Sequence, residues 1–148
     1  RVSKVEMPLK FYEDFDVFKI FPLDVGLLGA MTDVPASKLL VGDNCFTEFK
    51  GAFTECYVNE QLARIQIPTY YFSGNDTEIE IDFAVQTENR VIPIEVKSEE
   101  SVRSKSLKTY IDKNPSLKGL RVSMKNYIDQ GWMENIGLYA IEGFLRKS

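Results

Sequence analysis

The runs Glu78-Ile79-Glu80-Ile81-Asp82-Phe83-Ala84-Val85 and Val91-Ile92-Pro93-Ile94-Glu95-Val96-Lys97 decide how this chain is read. Both alternate apolar and other residues with a period of two, the pattern of β-strands. Thr87-Glu88-Asn89-Arg90 between them reads as a hairpin turn. Counting back from a turn centred there pairs Gln86 with Val91, Asp82 with Glu95 and Glu80 with Lys97. Directly opposed residues on paired strands have Cβ atoms about 4.5–5.5 Å apart, where like charges repel. Two carboxylates held that close call for a proton, a lysine or a metal ion between them. Glu95 and Lys97 lie two apart and share a face of their strand, as Asp82 and Glu80 do on theirs. Ile79, Ile81, Phe83, Val85, Ile92, Ile94 and Val96 then form an apolar floor that would bury against a helix.

Working outward, 148 residues suffice for one domain with a real core and are short for two. Hydrophobic residues at 44%, with 10 Phe and 7 Tyr, place the chain among globular proteins. No apolar run approaches the roughly 20 residues of a membrane span, and no signal peptide is visible. The first residue is Arg1 rather than Met, which suggests a piece of a longer protein. Histidine is absent, and this excludes Ser-His-Asp and Cys-His nucleophiles and His-based zinc sites together. Two cysteines, Cys45 and Cys56, suit a reducing, cytoplasmic setting rather than a disulfide scaffold. Cys56, among apolar neighbours, is expected to be a small buried thiol.

The net charge of −4 hides a gradient. Residues 1–100 hold 9 Lys+Arg against 18 Asp+Glu, whereas residues 101–148 hold 9 against 4. The basic part opens just after Lys97 with Arg103, Lys105, Lys108, Lys113, Lys118, Arg121 and Lys125. A cationic surface beside a carboxylate cluster suits a polyanion; a solvated lysine-rich helix face is the plainer reading.

The remaining elements follow from punctuation and periodicity. Asp16–Phe21 is a strand candidate, and Asp24 is a candidate cap for a short helix, Val25–Met31. Residues 32–44 are turn-rich. Thr47 reads as the N-cap of a long helix to about Ile65, with Phe49, Ala52, Phe53 and Cys56 at helical spacing. Strands are expected at Thr69–Phe72, in the hairpin, at Leu120–Met124 and at Leu138–Ile141, with helices over 101–112 and at the C-terminus. Helix, three strands, helix, strand predicts an α/β (α+β) protein with helices packed on a mixed sheet.

The hairpin acids carry the chemistry. Hard oxygen ligands suit Mg²⁺ or Mn²⁺, and a metal-bound water is a nucleophile toward phosphorus. Lys97 could orient that water or stabilise charge building on the phosphate. Glu55, on the preceding helix, is the best-placed further acid. The competing reading is a solvated ladder of salt bridges along a hairpin face.

Asp82 followed by Glu95-Val96-Lys97 resembles the PD-(D/E)xK nuclease superfamily, whose restriction-endonuclease-like core has the order αβββαβ. Phe53-Thr54-Glu55-Cys56-Tyr57-Val58, Glu80-Ile81-Asp82-Phe83 and Ile92-Pro93-Ile94-Glu95-Val96-Lys97-Ser98 are similar, more narrowly, to the nuclease-like domain at the C-terminus of many prokaryotic AAA-type ATPases. Lys105-Ser106-Leu107 fits that family's segment after the motif, and Phe18 to Leu28 fits its connection from the ATPase and winged-helix region. Ile81 stands where the motif's proline is expected.

The resemblance implies a connector over residues 1–35 and a nuclease-like domain over 36–148. It further implies metal at Glu55, Asp82 and Glu95, catalysis by Asp82, Glu95 and Lys97, and phosphate contacts from Lys105 and Lys108. Mg²⁺ or Mn²⁺ is the expected cofactor, DNA and an upstream ATPase region are the expected partners, and no membrane is involved. ATP has no site here, since no Gly-x4-Gly-Lys-Ser/Thr loop occurs. Three functions stay open at this point: metal-dependent hydrolysis of DNA, a catalytically silent module that binds nucleic acid or protein and regulates the ATPase, and a plain structural domain.

Overall fold

The computed structural model describes residues 1–33, 47–74, 79–98 and 103–148. Its elements in chain order are α1 (Val25–Met31), α2 (Thr47–Arg64), β1 (Thr69–Ser73), β2 (Glu80–Gln86), β3 (Val91–Val96), α3 (Lys105–Lys113), β4 (Gly119–Ser123), β5 (Ile128–Asp129), β6 (Met133–Gly137) and α4 (Ile141–Leu145). The expected α+β class with a mixed sheet is the observed one. Six strands form a single sheet in the order β1-β2-β3-β4-β6-β5, with β3, β4 and β6 parallel and the outer pairs antiparallel.

The turn count fixes the hairpin register correctly. Gln86 pairs with Val91, Val85 with Ile92, Ala84 with Pro93 and Phe83 with Ile94. Pro93 lies one residue before β3 begins to pair with β4, at Ile94↔Leu120. A residue without an N–H is tolerated there because no parallel ladder bond has yet started.

The ladder stops one step short of Asp82 and Glu95. On its other side β2 carries one residue more than β1. Tyr70 pairs with Ala84 and Phe72 with Ile81, so Tyr71 alone faces both Asp82 and Phe83. This bulge reverses the alternation of β2 at that point. Phe83 and Val85 join Ile92, Ile94, Val96, Leu120, Val122 and Ile136 beneath Val58 and Leu62 of α2 and Ile141 and Leu145 of α4. Ile81 and Ala84 face the other way, toward Leu107, Tyr110 and Ile111 of α3. The expectation that Ile81 and Phe83 line one floor is therefore corrected by the bulge.

The chain's start closes the second core. Val2, Val5 and Leu9 are buried with α3. Val2 N–H donates to the Tyr71 carbonyl at 2.8 Å, Val5 N–H to the Tyr110 hydroxyl at 3.1 Å and Leu9 N–H to Gln86 Oε1 at 2.8 Å. Each fully buried aliphatic side chain in these two layers contributes roughly 1.5–3 kcal/mol.

Two further expectations shift. Residues 16–21 form no strand; they cross the α2 side of the sheet through side chains, with Phe21 stacked on Phe83 at 5.7 Å and Lys19 over the Tyr71 ring at 5.0 Å. The strand expected at Leu138–Ile141 lies earlier, at Met133–Gly137, and Leu138–Ala140 is a 3-10 turn leading into α4. The buried Asn135 inside β6 hides its strand from any hydropathy pattern. Asp24 caps α1 as expected, its Oδ1 accepting from Leu27 N–H at 2.7 Å. Cys56 is buried, burial pushes its thiol pKa up, and Sγ lies 3.8 Å from the Pro22 carbonyl. The residue range 34–46, which includes Cys45, lies outside the described residues. Among the described residues no helix is long and apolar enough to cross a membrane.

Two glycines check the packing in opposite directions. A Cβ on Gly119 would lie 2.9 Å from Cδ2 of the fully buried Leu107, so Gly119→Ala should lower stability by about 1–3 kcal/mol through overpacking. A Cβ on Gly51, in α2, meets nothing within 4 Å among the described residues. Gly51→Ala should therefore raise stability by roughly 0.5–1 kcal/mol. Thermal melting of both variants reads the two signs; an unchanged midpoint for Gly119→Ala would mean that α3 does not press on β4 as described.

Candidate functional site

The bulge decides where the predicted acids go. In an unbroken antiparallel ladder the next hydrogen-bonded pair after Phe83–Ile94 would be Ile81–Val96, bringing Val96 N–H to the Ile81 carbonyl. Here that N–H donates to Asp82 Oδ2 at 2.7 Å instead. Asp82 thus fills the gap where β2 and β3 part, and it lines a cavity with Phe18, Lys19, Phe21, Tyr71 and Phe83. Burial pushes its carboxyl pKa up to about 6; Glu55 adds to the rise, while the Val96 amide, Lys19 and Lys97 oppose it.

Lys19 stands at the centre of this acidic group. Its Nζ lies 2.8 Å from Glu80 Oε1 and 3.8 Å from Glu55 Oε2. Burial works against its charge, but Glu80, Glu55 and Asp82 outweigh that and raise its pKa. Glu55 and Asp82 are thus brought to one place, with a lysine between them and with Glu80 as a further member.

Glu95 goes elsewhere. Its neighbours Ile94 and Val96 both point at α2, so the side chain between them projects toward α3. It pairs in register with Arg121 of β4. Lys97 Nζ bonds Glu95 Oε1 at 2.7 Å, and Oε2 is buried without a hydrogen-bond partner among the described residues. Lys97 N–H continues the parallel ladder to the Val122 carbonyl at 2.9 Å, so Lys97 does not pair with Glu80. Arg121 is buried and held by Asn135, its Nε donating to Oδ1 at 2.8 Å. Ser123 Oγ donates to the same oxygen, and Asn135 Nδ2 donates to the Lys125 and Asn126 carbonyls. Burial lowers the Arg121 pKa and nearby Glu95 opposes this; a guanidinium stays charged at neutral pH regardless.

The acids expected to share one site therefore fall into two groups. Asp82, Glu55 and Glu80 gather on Lys19, and Glu95 sits with Lys97 and Arg121. Among the described residues no group of three or more His, Cys, Asp or Glu side chains is placed to hold a metal ion. The donor set that the resemblance implies for Mg²⁺ or Mn²⁺ is not assembled among the described residues.

The expected phosphate residues do come together. Lys105 and Lys108 line a shallow cleft of ≈ 490 Å³ with Arg103, Ser104, Arg121 and Trp132. Lys108 lies over the Trp132 ring at 5.2 Å and pairs with Asp112 one turn on. Sequence reasoning counted Arg121 in the basic stretch but missed Lys19, Ser104, Trp132 and Asn135 as members of either group. Lys19 had no local signal, because its partners lie 36 or more positions away. Trp132, the only tryptophan, stands just past Gly131 in a turn, and that was the one usable hint.

Residues 50–140 match the family described as Domain of unknown function (DUF4143). The match spans more than half of the chain, and the chain belongs to that family. No curated protein and no solved structure matches it.

The buried Asp82 gives a pH signature. Unfolded, it ionises near 3.8; folded, near 6. Between these values the folded protein holds the extra proton, so its stability falls as pH rises from about 4 through about 6. Asp82→Asn keeps an acceptor for Val96 N–H and removes the buried charge. It should be more stable than the parent at neutral pH by on the order of 1–2 kcal/mol, with a flatter profile below. Urea melts across this range give the answer, and a variant less stable at neutral pH would show that the charge is needed where it stands.

Proposed function

We propose that this chain is a catalytically silent nucleic-acid-binding module that works beside an ATPase region, as its nuclease-like sequence motifs imply, and contacts DNA through the cleft between α3 and β4. The observation that carries this reading is the cleft itself. Arg103, Lys105 and Lys108 on or beside the start of α3 converge with Arg121 of β4 on one surface. Phosphate contacts of this kind supply most of the sequence-independent affinity for DNA. Arg121 suits the part because its guanidinium stays charged when buried and its fork matches phosphate geometry.

Hydrolysis is the second reading, resting on the Asp82 and Glu95-x-Lys97 pattern. It needs Asp82 and Glu95 to meet, whereas Asp82 is bonded to Val96 N–H and Glu95 is paired with Lys97. The ammonium of Lys19 already lies among the α2-side acids. These contacts favour binding over cleavage.

Fluorescence anisotropy with a single-stranded DNA oligonucleotide, without divalent metal, tests the proposal. Arg103→Glu with Lys105→Glu should weaken binding by about tenfold or more, and affinity should fall steeply between roughly 50 and 200 mM salt. Asp82→Ala should leave affinity within about a factor of two, since it lies outside the contact surface. Binding indifferent to both charge reversal and salt would overturn the proposal. Mn²⁺-dependent nicking that disappears in Asp82→Ala would overturn it in favour of hydrolysis.

A further inference from the structure

Trp132 is the only tryptophan of the chain, and a tight turn sets its place. Gln130, Gly131 and Trp132 join β5 to β6, with Gly131 at φ 79°, a conformation glycine adopts without strain. Gln130 N–H donates to the Met133 carbonyl at 2.9 Å, and Gly131 N–H donates to Asp129 Oδ1 at 2.8 Å. The Trp132 carbonyl accepts from Gly119 N–H at 2.9 Å, which ties the turn to the start of β4. The indole packs against the buried cluster on the α3 side but is only partly covered. It lines the basic cleft and also a second hollow of ≈ 360 Å³, formed with Asp112, Pro115, Leu117 and Lys118. A tryptophan that served packing alone would bury its ring; this one presents part of it among cations. Lys108 Nζ lies over the ring, 5.2 Å from its centroid, and pairs with Asp112. Lys108 and Asp112 are both exposed, and contacts made by an exposed ammonium are weak.

Resting on the DNA-binding reading, we infer that Trp132 is a stacking platform for an unpaired base, so that the cleft takes single-stranded DNA in preference to duplex. Arg103, Lys105 and Arg121 hold the phosphate backbone. One base lies on the indole in place of the Lys108 ammonium, because stacking of a base on an aromatic ring is the stronger contact. The displaced Lys108 then turns to a phosphate of the same strand. Gln130 is exposed at the rim of the cleft, and its amide has both donors and an acceptor for a base edge. A basic groove combined with an aromatic face is the general means of holding a single strand, and it tolerates any base. In a duplex the bases are already stacked and paired, and reaching their faces costs unstacking. The turn fixes the indole before any strand arrives, and this preorganisation lowers the cost of binding.

A single tryptophan makes the inference directly readable. Three probes of equal length are titrated: a thymidine oligonucleotide, an abasic strand with the same phosphates, and the oligonucleotide paired to its complement. Probe anisotropy and tryptophan fluorescence are followed together. The oligonucleotide should quench Trp132 fluorescence with the same midpoint as its anisotropy change. The abasic strand and the duplex should bind about tenfold more weakly, with little quenching. Trp132→Leu, which keeps an apolar side chain against the core, should weaken oligonucleotide binding about tenfold and leave the abasic strand within about a factor of two. Trp132→Phe, which keeps an aromatic face, should retain most of the affinity. Should thermal melting show that Trp132→Leu does not fold, quenching and the abasic comparison decide the matter on the parent protein. Equal affinity for the base-bearing and abasic strands, without quenching, would overturn the inference and leave the DNA-binding reading intact. A duplex bound as tightly as the single strand would do the same. Absence of binding to every probe would overturn both.

Discussion

The hydrogen bond from Val96 N–H to Asp82 Oδ2 is the contact on which the arrangement of this protein depends. It exists because β2 carries an extra residue opposite Tyr71. Without the bulge, β2 and β3 would continue as a regular hairpin, and Val96 N–H would find a backbone carbonyl. With it, β3 leaves β2 after Ile94 and runs on beside β4, from Ile94↔Leu120 to Val96↔Val122. The bulge thus converts the end of an antiparallel hairpin into the start of the parallel part of the sheet. A carboxylate takes over the acceptor duty of the missing carbonyl, and a charge-assisted bond of this kind is stronger than the neutral one it replaces.

The same bulge sorts the charges. It turns Asp82 toward α2 and the segment bearing Lys19, while strict alternation in β3 keeps Glu95 pointed toward α3 and Arg121. Repulsion between two opposed carboxylates, which an unbroken hairpin would impose, is relieved by separation and by two lysines. Lys19 serves Glu55 and Glu80; Lys97 serves Glu95. Each ammonium is partly buried, and removing one partner of such a pair leaves an uncompensated charge that costs several times more than the pair contributes. The lysines therefore belong to the fold as much as to any site.

Local regularity was legible in the sequence, and its interruption was not. The hairpin register followed from turn counting because Thr87–Arg90 is flanked by two apolar runs of period two. The cap at Asp24 and the extent of α2 followed from ordinary start and stop signals. The bulge left no mark: Glu80-Ile81-Asp82-Phe83 alternates perfectly, and only the partner strand β1 reveals that one residue is surplus. Asp82 and Glu95 were rightly placed on neighbouring strands and wrongly placed opposite one another. Lys19 could not be found because nothing local distinguishes it from other lysines, and β6 was missed because its central Asn135 is buried by bonds to Arg121, Ser123 and the Lys125–Asn126 backbone.

The charge gradient along the chain acquires a spatial meaning once these faces are known. The acid-rich first hundred residues place Glu55, Glu80 and Asp82 on the α2 side, where Lys19 neutralises part of the cluster. The basic remainder places Arg103, Lys105, Lys108 and Arg121 on the α3 side. A sheet is thin, yet opposite charges on its two sides do not cancel at the surface of either, because water screens each face within about 8–10 Å at moderate ionic strength. Two acids share the α3 side with these cations: Glu95, bound by Lys97, and Asp112, paired with Lys108. Asp82, with its pKa raised to about 6, is mostly ionised at neutral pH, and Lys19 and Lys97 favour that charge. The bulge thus leaves Asp82 on the α2 side with Glu55 and Lys19, and Glu95 on the α3 side in register with Arg121.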